Sequence, residues 1–426
     1  MEKFIIHGGA RVGGVLNVHG AKNSALPILA ATMLADTPAV IHNCPDLTDI
    51  DYAIKILEHL GCAVKREGSD VTIDPRDFNC CEIPEELMRC MRSSIVFLGG
   101  ILAKANKATL SAPGGCKIGL RPIDLHLAAL KKLGMECNDC GEVLECICPN
   151  GLHGTRINLS FPSVGATENI MLAAVTACGD TVIENAAREP EICDLADFLN
   201  SMGAKVYGAG DKRIVIEGVK ALHGAEHTVI PDRIAASTYM AAAAITGGEL
   251  TLKNVFPMHL TSVISAFEEM GCKLSVKTEE LCIKAPERLR RLKAIHTMPY
   301  PGFPTDSQAL FMAMASVADG TSMFVENIFE NRYRHVEQLR RMGADIKVDG
   351  KMALVNGVPK LFGAAVDAED LRGGAALIIV GLSAEGITEI GEIEHIDRGY
   401  EAIEKTLSIL GAKIKRREFN ESGAVR

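Results

Sequence analysis

Cys116 is the side chain whose surroundings most suggest chemistry. In SAPGGCKIGLRPIDLH, residues 111–126, it follows Gly114 and Gly115 and precedes Lys117, with Arg121 five positions on. A structural cysteine sits among apolar neighbours, whereas a glycine-rich loop gives a side chain little to pack against. A thiol in such a loop is a candidate for reactivity rather than for packing.

A second group of candidates is basic. Lys22, Arg92, Arg233 and Arg372 stand beside the starts of apolar helical stretches, and Arg121, Arg188, Arg332 and Arg398 beside the starts of amphipathic ones. A cation at a helix N-terminus opposes the helix dipole by about 0.3–1 kcal/mol. A bound anion reverses that penalty, because the unpaired N–H groups there favour negative charge. Solvation or structural pairing is the plainer reading of any one of these residues. As a set, they suit a ligand carrying several phosphates.

The chain that must position them has 426 residues, 47% of them hydrophobic, enough for two substantial cores. The opening MEKFIIHGGARVGG lacks an apolar segment before a cleavage site, and AALIIVGL is too short to span a bilayer, so a cytoplasmic protein with no membrane partner is expected. In such a reducing compartment most of the 14 cysteines read as small hydrophobes. Net charge of -9, no tryptophan and 4% aromatic residues exclude a basic, stacking surface for nucleic acid.

One phrase recurs six times, as ILEHLGCAV, ALKKLGMEC, FLNSMGAKV, AFEEMGCKL, QLRRMGADI and LSILGAKIK. Its glycines, Gly61, Gly134, Gly203, Gly271, Gly343 and Gly411, are separated by 73, 69, 68, 72 and 68 residues. Each ends an amphipathic helix before an alternating strand, the position of a C-terminal cap. Upstream of each comes a turn and strand, such as GDTVIEN or GGELTLKN, and before that a more apolar helix. Each unit therefore reads helix, strand, helix, strand, turn, strand, an α/β architecture of six related units. Pro231 falls between the third and fourth units and is the natural linker. The strands before Ala21 lie outside the count and would pair with the distal domain's sheet. That gives a discontinuous domain, 1–21 with 231–426, and an inserted domain, 22–230.

Other chemistries fit less well. CNDCGEVLECIC, residues 137–148, has the thiol density of a zinc site but occupies the strand, turn and strand that follow Gly134, with Cys137 matching Val64 of the first unit. No HExxH, Walker-type lysine loop or G-x-S-x-G elbow occurs, and GGARVGGVLNVHG reads as a tight turn.

HGAKNSALP, PGGCKIGLRPIDLH, PSVGATENIM, NAAREPEI, PDRI, FPTDSQA, FENR and HIDRGYE together resemble the UDP-N-acetylglucosamine 1-carboxyvinyltransferases over essentially the whole chain. The resemblance implies a two-domain inverted (inside-out) α/β barrel of six units, three per domain. It implies transfer of enolpyruvate from phosphoenolpyruvate to the 3'-hydroxyl of UDP-N-acetylglucosamine with release of phosphate, the first committed step of peptidoglycan synthesis. It implies no metal or organic cofactor, and a thiol open to the epoxide inhibitor fosfomycin.

By the same resemblance Cys116 is the loop acid, able also to add to C2 of the donor, and Asp306 faces the sugar hydroxyl as general base or orienting group. A lone aspartate at a helix start is also an N-cap, and Asp306 suits both roles. Lys22, Arg121 and Arg398 would hold the donor phosphate, while Arg92, Arg332 and Arg372 act on its carboxylate or support a closed state. Asn23 and Asp306 would contact the glucosamine, and Arg121, Pro122, Asp124 and Leu125 the uracil. Ser163, Val164 and Gly165 would contact the diphosphate, and Glu189 would lie near the reacting centre. Ile123 and Ile328 complete the substrate-binding set. One departure stands out: Phe161 occupies a position where some members carry a lysine for the diphosphate. The alternatives are 3-phosphoshikimate 1-carboxyvinyltransferase, against which the Cys116 loop and RPIDLH argue, and a non-catalytic nucleotide-sugar-binding paralogue.

Overall fold

The structure is a computed structural model that describes residues 2–111, 123–139 and 143–419. Cys116, Arg121 and Pro122 lie outside them. The described residues form two compact units, one of 2–19 and 231–419 and the other of 20–230.

The repeated glycines set the local pattern. All six have left-handed backbones, with φ of 99°, 108°, 98°, 90°, 96° and 99° in chain order. At the first, Cys62 N–H donates to Leu57 O at 2.9 Å and Gly61 N–H to Glu58 O at 3.0 Å, a Schellman cap. The same pair of bonds recurs at Gly134, Gly203, Gly271, Gly343 and Gly411. A side chain there would cost roughly 1–2 kcal/mol in the left-handed region, so the sequence repeat is a repeat of helix stops.

Six four-stranded sheets are formed among the described residues. In one of them Arg156–Asn158 runs parallel to Asp180–Glu184, which is antiparallel to Arg213–Glu217, itself antiparallel to Lys205–Tyr207. The parallel edge strand is a fourth strand that the repeat did not disclose. An asparagine just past the neighbouring parallel strand anchors it in several sheets: the side-chain amides of Asn43, Asn185 and Asn254 donate to the carbonyls of Val229, Leu159 and Val18 at 2.8–2.9 Å. Near the N-terminus, Glu2–His7 pairs between Ile387–Gly391 and Lys413–Glu418, and Gly14–Asn17 pairs parallel to Glu249–Lys253.

Strands present one face inward, as in Asp180–Glu184, where Thr181 and Ile183 are buried. The apolar helices are buried nearly all round: Val164–Ala174 from Ala166 to Ala174, and Leu371–Ser383 from Arg372 to Leu382. Helices therefore form the centre of each unit and sheets its outer layer. Cys137 faces Cys146 across an antiparallel pair, with the sulfurs 3.5 Å apart. In the unit of 2–19 and 231–419, helices Arg233–Ile245, Thr305–Ala315 and Leu371–Ser383 pack against one another. On these helices Leu310, Phe311, Ile378 and Ile379 are all fully buried; each such side chain contributes about 1.5–3 kcal/mol. That packing fixes where the helix starts, and hence the candidate side chains, must lie.

Candidate active site

In the unit of 2–19 and 231–419 the three packed helices bring their N-termini together around Asp306. Asp306 is the second residue of Thr305–Ala315, whose N-cap is Pro304, and among the described residues its carboxylate accepts from side chains and from no backbone group. The capping role expected beside the chemical one is therefore absent. Its Oδ1 instead accepts from Arg332 Nη2 and from Arg372 Nε, each at 3.1 Å. Both arginines are buried, while 31% of the Asp306 side chain is exposed. Oδ2 accepts no hydrogen bond among the described residues. Burial pushes this carboxyl up, but the charges of Arg372 and Arg332 outweigh it and hold the group well below the usual carboxylate range.

The arginines are fixed in turn. Arg332 donates Nε and Nη2 to Thr305 O at 3.3 and 3.1 Å. Arg372 Nη1 donates to Tyr400 Oη at 3.2 Å, and that hydroxyl shares a 2.8 Å bond with Thr238. Tyr400 lies two residues beyond the half-buried Arg398, between helices Glu394–Asp397 and Ile403–Ile409. Arg233 is buried at the start of its helix and adds positive charge at Asp306.

Carboxylates, rather than a bound anion alone, offset the cations at these helix starts. Asp232 accepts from the N–H groups of Ile234 and Ala235 at 2.7 and 2.9 Å, and Asp370 from those of Arg372 and Gly373 at 2.9 and 3.0 Å.

The unit of 20–230 arranges its starts differently. Lys22 opens Lys22–Thr32 after Ala21, with no side-chain cap, and its Nζ lies 3.0 Å from Oδ2 of the buried Asp49. Asn23, beside it, is half-buried. Arg92 opens the short 3-10 turn Arg92–Val96 that leads into helix Phe97–Ala105. Ser163 caps Val164–Ala174 through its Oγ, which accepts from Ala166 N–H at 3.4 Å, and Val164 and Gly165 follow, half-buried.

The helix that opens at Asp124 and the helix that opens at Val164 meet here. A Cβ on Gly165 would stand 3.1 Å from the ring of His126, which belongs to Asp124–Lys132, the helix that follows Ile123 and carries Leu125. His126 Nδ1 lies 3.0 Å from Asn169 Nδ2. Thr167 ties the same helix to the loop before Glu189: its hydroxyl donates to Ser163 O at 2.8 Å and accepts from Ala187 N–H at 3.1 Å. Glu189 is the N-cap residue of Pro190–Ser201, and its Oε2 accepts from Arg188 N–H at 3.0 Å. Arg188 Nε donates to Gly210 O at 3.0 Å, a structural bond. Glu168, 5% exposed, is pushed up to about 8 by burial, with Glu191 and Glu189 adding to the effect.

Sequence reasoning missed His126, Asn169 and Thr167, although HLA in RPIDLHLAA and ATEN in VGATEN gave polar residues inside apolar helices as a signal. It treated most cysteines as small hydrophobes, and burial raises the thiols of Cys44, Cys146 and Cys272 to about 12 and those of Cys62 and Cys148 to about 11. Among the described residues no group of three or more His, Cys, Asp and Glu side chains is arranged to hold a metal ion.

Comparison with known proteins gives the family and the fold. A family model described as EPSP synthase (3-phosphoshikimate 1-carboxyvinyltransferase) matches residues 6–407. UDP-N-acetylglucosamine 1-carboxyvinyltransferase 2 of Caldanaerobacter subterraneus subsp. tengcongensis is 55% identical over 98% of this chain and 100% of its own length. UDP-N-acetylglucosamine 1-carboxyvinyltransferase of Halothermothrix orenii is 50% identical over the same shares. Among solved structures, the enolpyruvyl transferase NikO from Streptomyces tendae superposes with a TM-score of 0.88 over 97% of this chain and 98% of that one, at 24% identity, a likeness of fold.

Proposed function

The chain belongs to the UDP-N-acetylglucosamine 1-carboxyvinyltransferases, and from that premise we propose how its residues share the reaction. It is an enolpyruvyl transferase of peptidoglycan synthesis, moving enolpyruvate from phosphoenolpyruvate to the 3'-hydroxyl of UDP-N-acetylglucosamine and releasing phosphate.

An enol ether is attacked at C2 only after C3 accepts a proton, so the reaction needs an acid at C3 and an acceptor for the hydroxyl proton. Cys116 supplies the first proton. Asp306 Oδ2 accepts the 3'-hydroxyl while Arg332 and Arg372 hold Oδ1. A carboxylate with so low a pKa is a weak base toward a ground-state alcohol. It orients the hydroxyl and takes its proton as the oxygen–C2 bond forms and the hydroxyl turns acidic. In the second half the Cys116 thiolate takes a proton back from C3, the bond from C2 to the phosphate oxygen breaks, and phosphate leaves toward Lys22, Arg121 and Arg398, carrying away the proton that Asp306 took from the hydroxyl. Arg92 joins Arg332 and Arg372 in neutralising the donor's carboxylate.

The start of Val164–Ala174 receives the diphosphate through its N–H groups, with Phe161 contributing no charge. Ile123, Asp124 and Leu125, with Arg121 and Pro122, hold the uracil. Asn23 and Ile328 contact the sugar, and Glu189 lies near the reacting centre. This reading includes a cytoplasmic location, with neither nucleic acid nor membrane as partner. In support, the net charge is -9 and no described helix is long and apolar enough to cross a membrane.

The observation that carries the reading is the asymmetry of Asp306, one oxygen pinned by two buried guanidiniums and the other open. Shikimate 3-phosphate is the competing acceptor, since the matching family model bears that enzyme's name. A phosphate-release assay with each acceptor separates them. Release with UDP-N-acetylglucosamine alone is expected, and release with shikimate 3-phosphate alone would overturn the assignment.

A further inference from the structure

Glu326 follows strand Thr321–Val325 and is 1% exposed, yet it is a carboxylate. Its two oxygens serve two different segments. Oε1 accepts from the N–H groups of Ile328 and Phe329 at 2.8 and 3.0 Å, and Oε2 accepts from the hydroxyl of Thr305 at 3.0 Å. Thr305 opens the helix whose next residue is Asp306, and its carbonyl receives both bonds from Arg332 described above. One buried charge therefore joins the turn that carries Ile328 to the helix start that carries Asp306, and Arg332 closes the loop from the other side.

A charge so deeply buried persists only when its donors are well placed. A neutral turn would have done for chain reversal alone. We propose that Glu326 and the Thr305 hydroxyl are positioning residues for the transfer reaction: they hold Asp306 Oδ2 at a fixed distance from the Ile328 turn, so that the acceptor sugar resting on that turn presents its hydroxyl to the carboxylate. The inference rests on the assignment of Asp306 to the acceptor hydroxyl. Displacing a reacting group by about 1 Å costs on the order of 10²-fold in rate, and the 3.0 Å tether is what prevents that displacement.

Two single substitutions at Thr305 separate this from packing. Thr305→Val keeps the size and branching and loses the hydroxyl; Thr305→Ser keeps the hydroxyl and loses the methyl. Kinetics with phosphoenolpyruvate and UDP-N-acetylglucosamine should show kcat lowered by about 10²-fold in the valine variant and by no more than about 3-fold in the serine variant, with KM for phosphoenolpyruvate little changed in both. The reverse order, or equal losses, would overturn the proposal. If Thr305→Val does not fold, Thr305→Ala beside Thr305→Ser isolates the hydroxyl, and equal kcat in that pair would overturn it as well. Asp306→Asn is measured in the same series. An inactive Asp306→Asn beside a fully active Thr305→Val removes the tether alone, whereas an active Asp306→Asn removes the hydroxyl assignment and this inference with it.

Discussion

The two units repeat the same helices and sheets but end their central helices with opposite electrostatics. In the unit of 2–19 and 231–419, Asp232 and Asp370 place carboxylates on the first N–H groups of two helices, and the third start bears Asp306 clamped by arginines. In the unit of 20–230, Lys22–Thr32 begins after Ala21 and Val164–Ala174 after Ser163, so neither N-cap residue is a carboxylate, and the nearby Asp49 pairs with Lys22 Nζ. The fold decides where helix ends converge. The cap residue decides whether an end is already neutralised by the chain or still open to a ligand's anion. On this account the open ends receive the diphosphate and phosphate, and the clamped carboxylate receives the sugar hydroxyl.

The harshest break is expected at the proposed acid, Cys116. Cys116→Ser should lose about 10²–10⁴-fold in turnover, since a hydroxyl is too weak an acid to replace a thiol. Cys116→Asp should keep measurable turnover with its optimum moved to lower pH, and fosfomycin should add mass to the native protein but not to this variant. An active serine variant beside an inactive aspartate variant would remove the general-acid role.

Within the clamped unit, Arg372→Lys keeps the charge but loses the fork that reaches Asp306 and Tyr400 together. Its kcat should fall about 10- to 10²-fold, the equivalent of ~1.5–3 kcal/mol for a charged hydrogen bond. Unchanged kcat would show that the clamp is only structural.

Ser163→Asp exchanges one unit's device for the other's. An aspartate caps as well as serine, so the thermal midpoint should hold, but its charge would meet the diphosphate at the helix start. KM for UDP-N-acetylglucosamine should rise about 10-fold, or ~1.4 kcal/mol, within the upper range for a charge at a helix end. An unchanged KM would mean that the end of Val164–Ala174 does not bind the diphosphate.

A further break concerns stability rather than turnover. Glu168 ordinarily titrates near 4.5 and is pushed to about 8 in the folded protein, so between those values the folded chain keeps a proton that the unfolded chain has released. Stability conferred by this proton falls as pH rises from 4.5 through 8. Glu168→Gln should therefore melt at a higher temperature than the parent at pH 8, with the difference closing toward pH 4.5. A difference independent of pH would contradict the assignment.

What could be read in the sequence follows from the range of each interaction. Helix stops are local, so six glycines at regular spacing disclosed six Schellman caps. Helix starts were legible as runs of apolar residues beside a cation. Asp232 and Asp370 stand one and two residues before Arg233 and Arg372, a capping signal available in PDRI and AEDLR, yet the cations drew the reading toward bound anions. Edge strands such as Arg156–Asn158 and Glu226–Thr228 span three residues, too few for alternation to show. The clamp was not legible as a clamp. Asp306, Arg332 and Arg372 were each singled out, but 26 and 66 residues separate the arginines from the aspartate, and only packing of the helices brings their side chains within hydrogen-bond distance.

The central claim is that the open oxygen of Asp306 receives the acceptor hydroxyl. Asp306→Asn leaves the side chain's shape unchanged while removing its charge, and the direct measurement is phosphate release by this variant at saturating UDP-N-acetylglucosamine and phosphoenolpyruvate, with sugar-nucleotide binding followed by calorimetry. The account predicts a loss of at least about 10²-fold in release, with sugar-nucleotide affinity within about 10-fold of the parent, the range of one hydrogen bond. Release within about 10-fold of the parent would contradict it, because a hydroxyl acceptor whose charge can be removed at so small a cost is not one that the reaction requires.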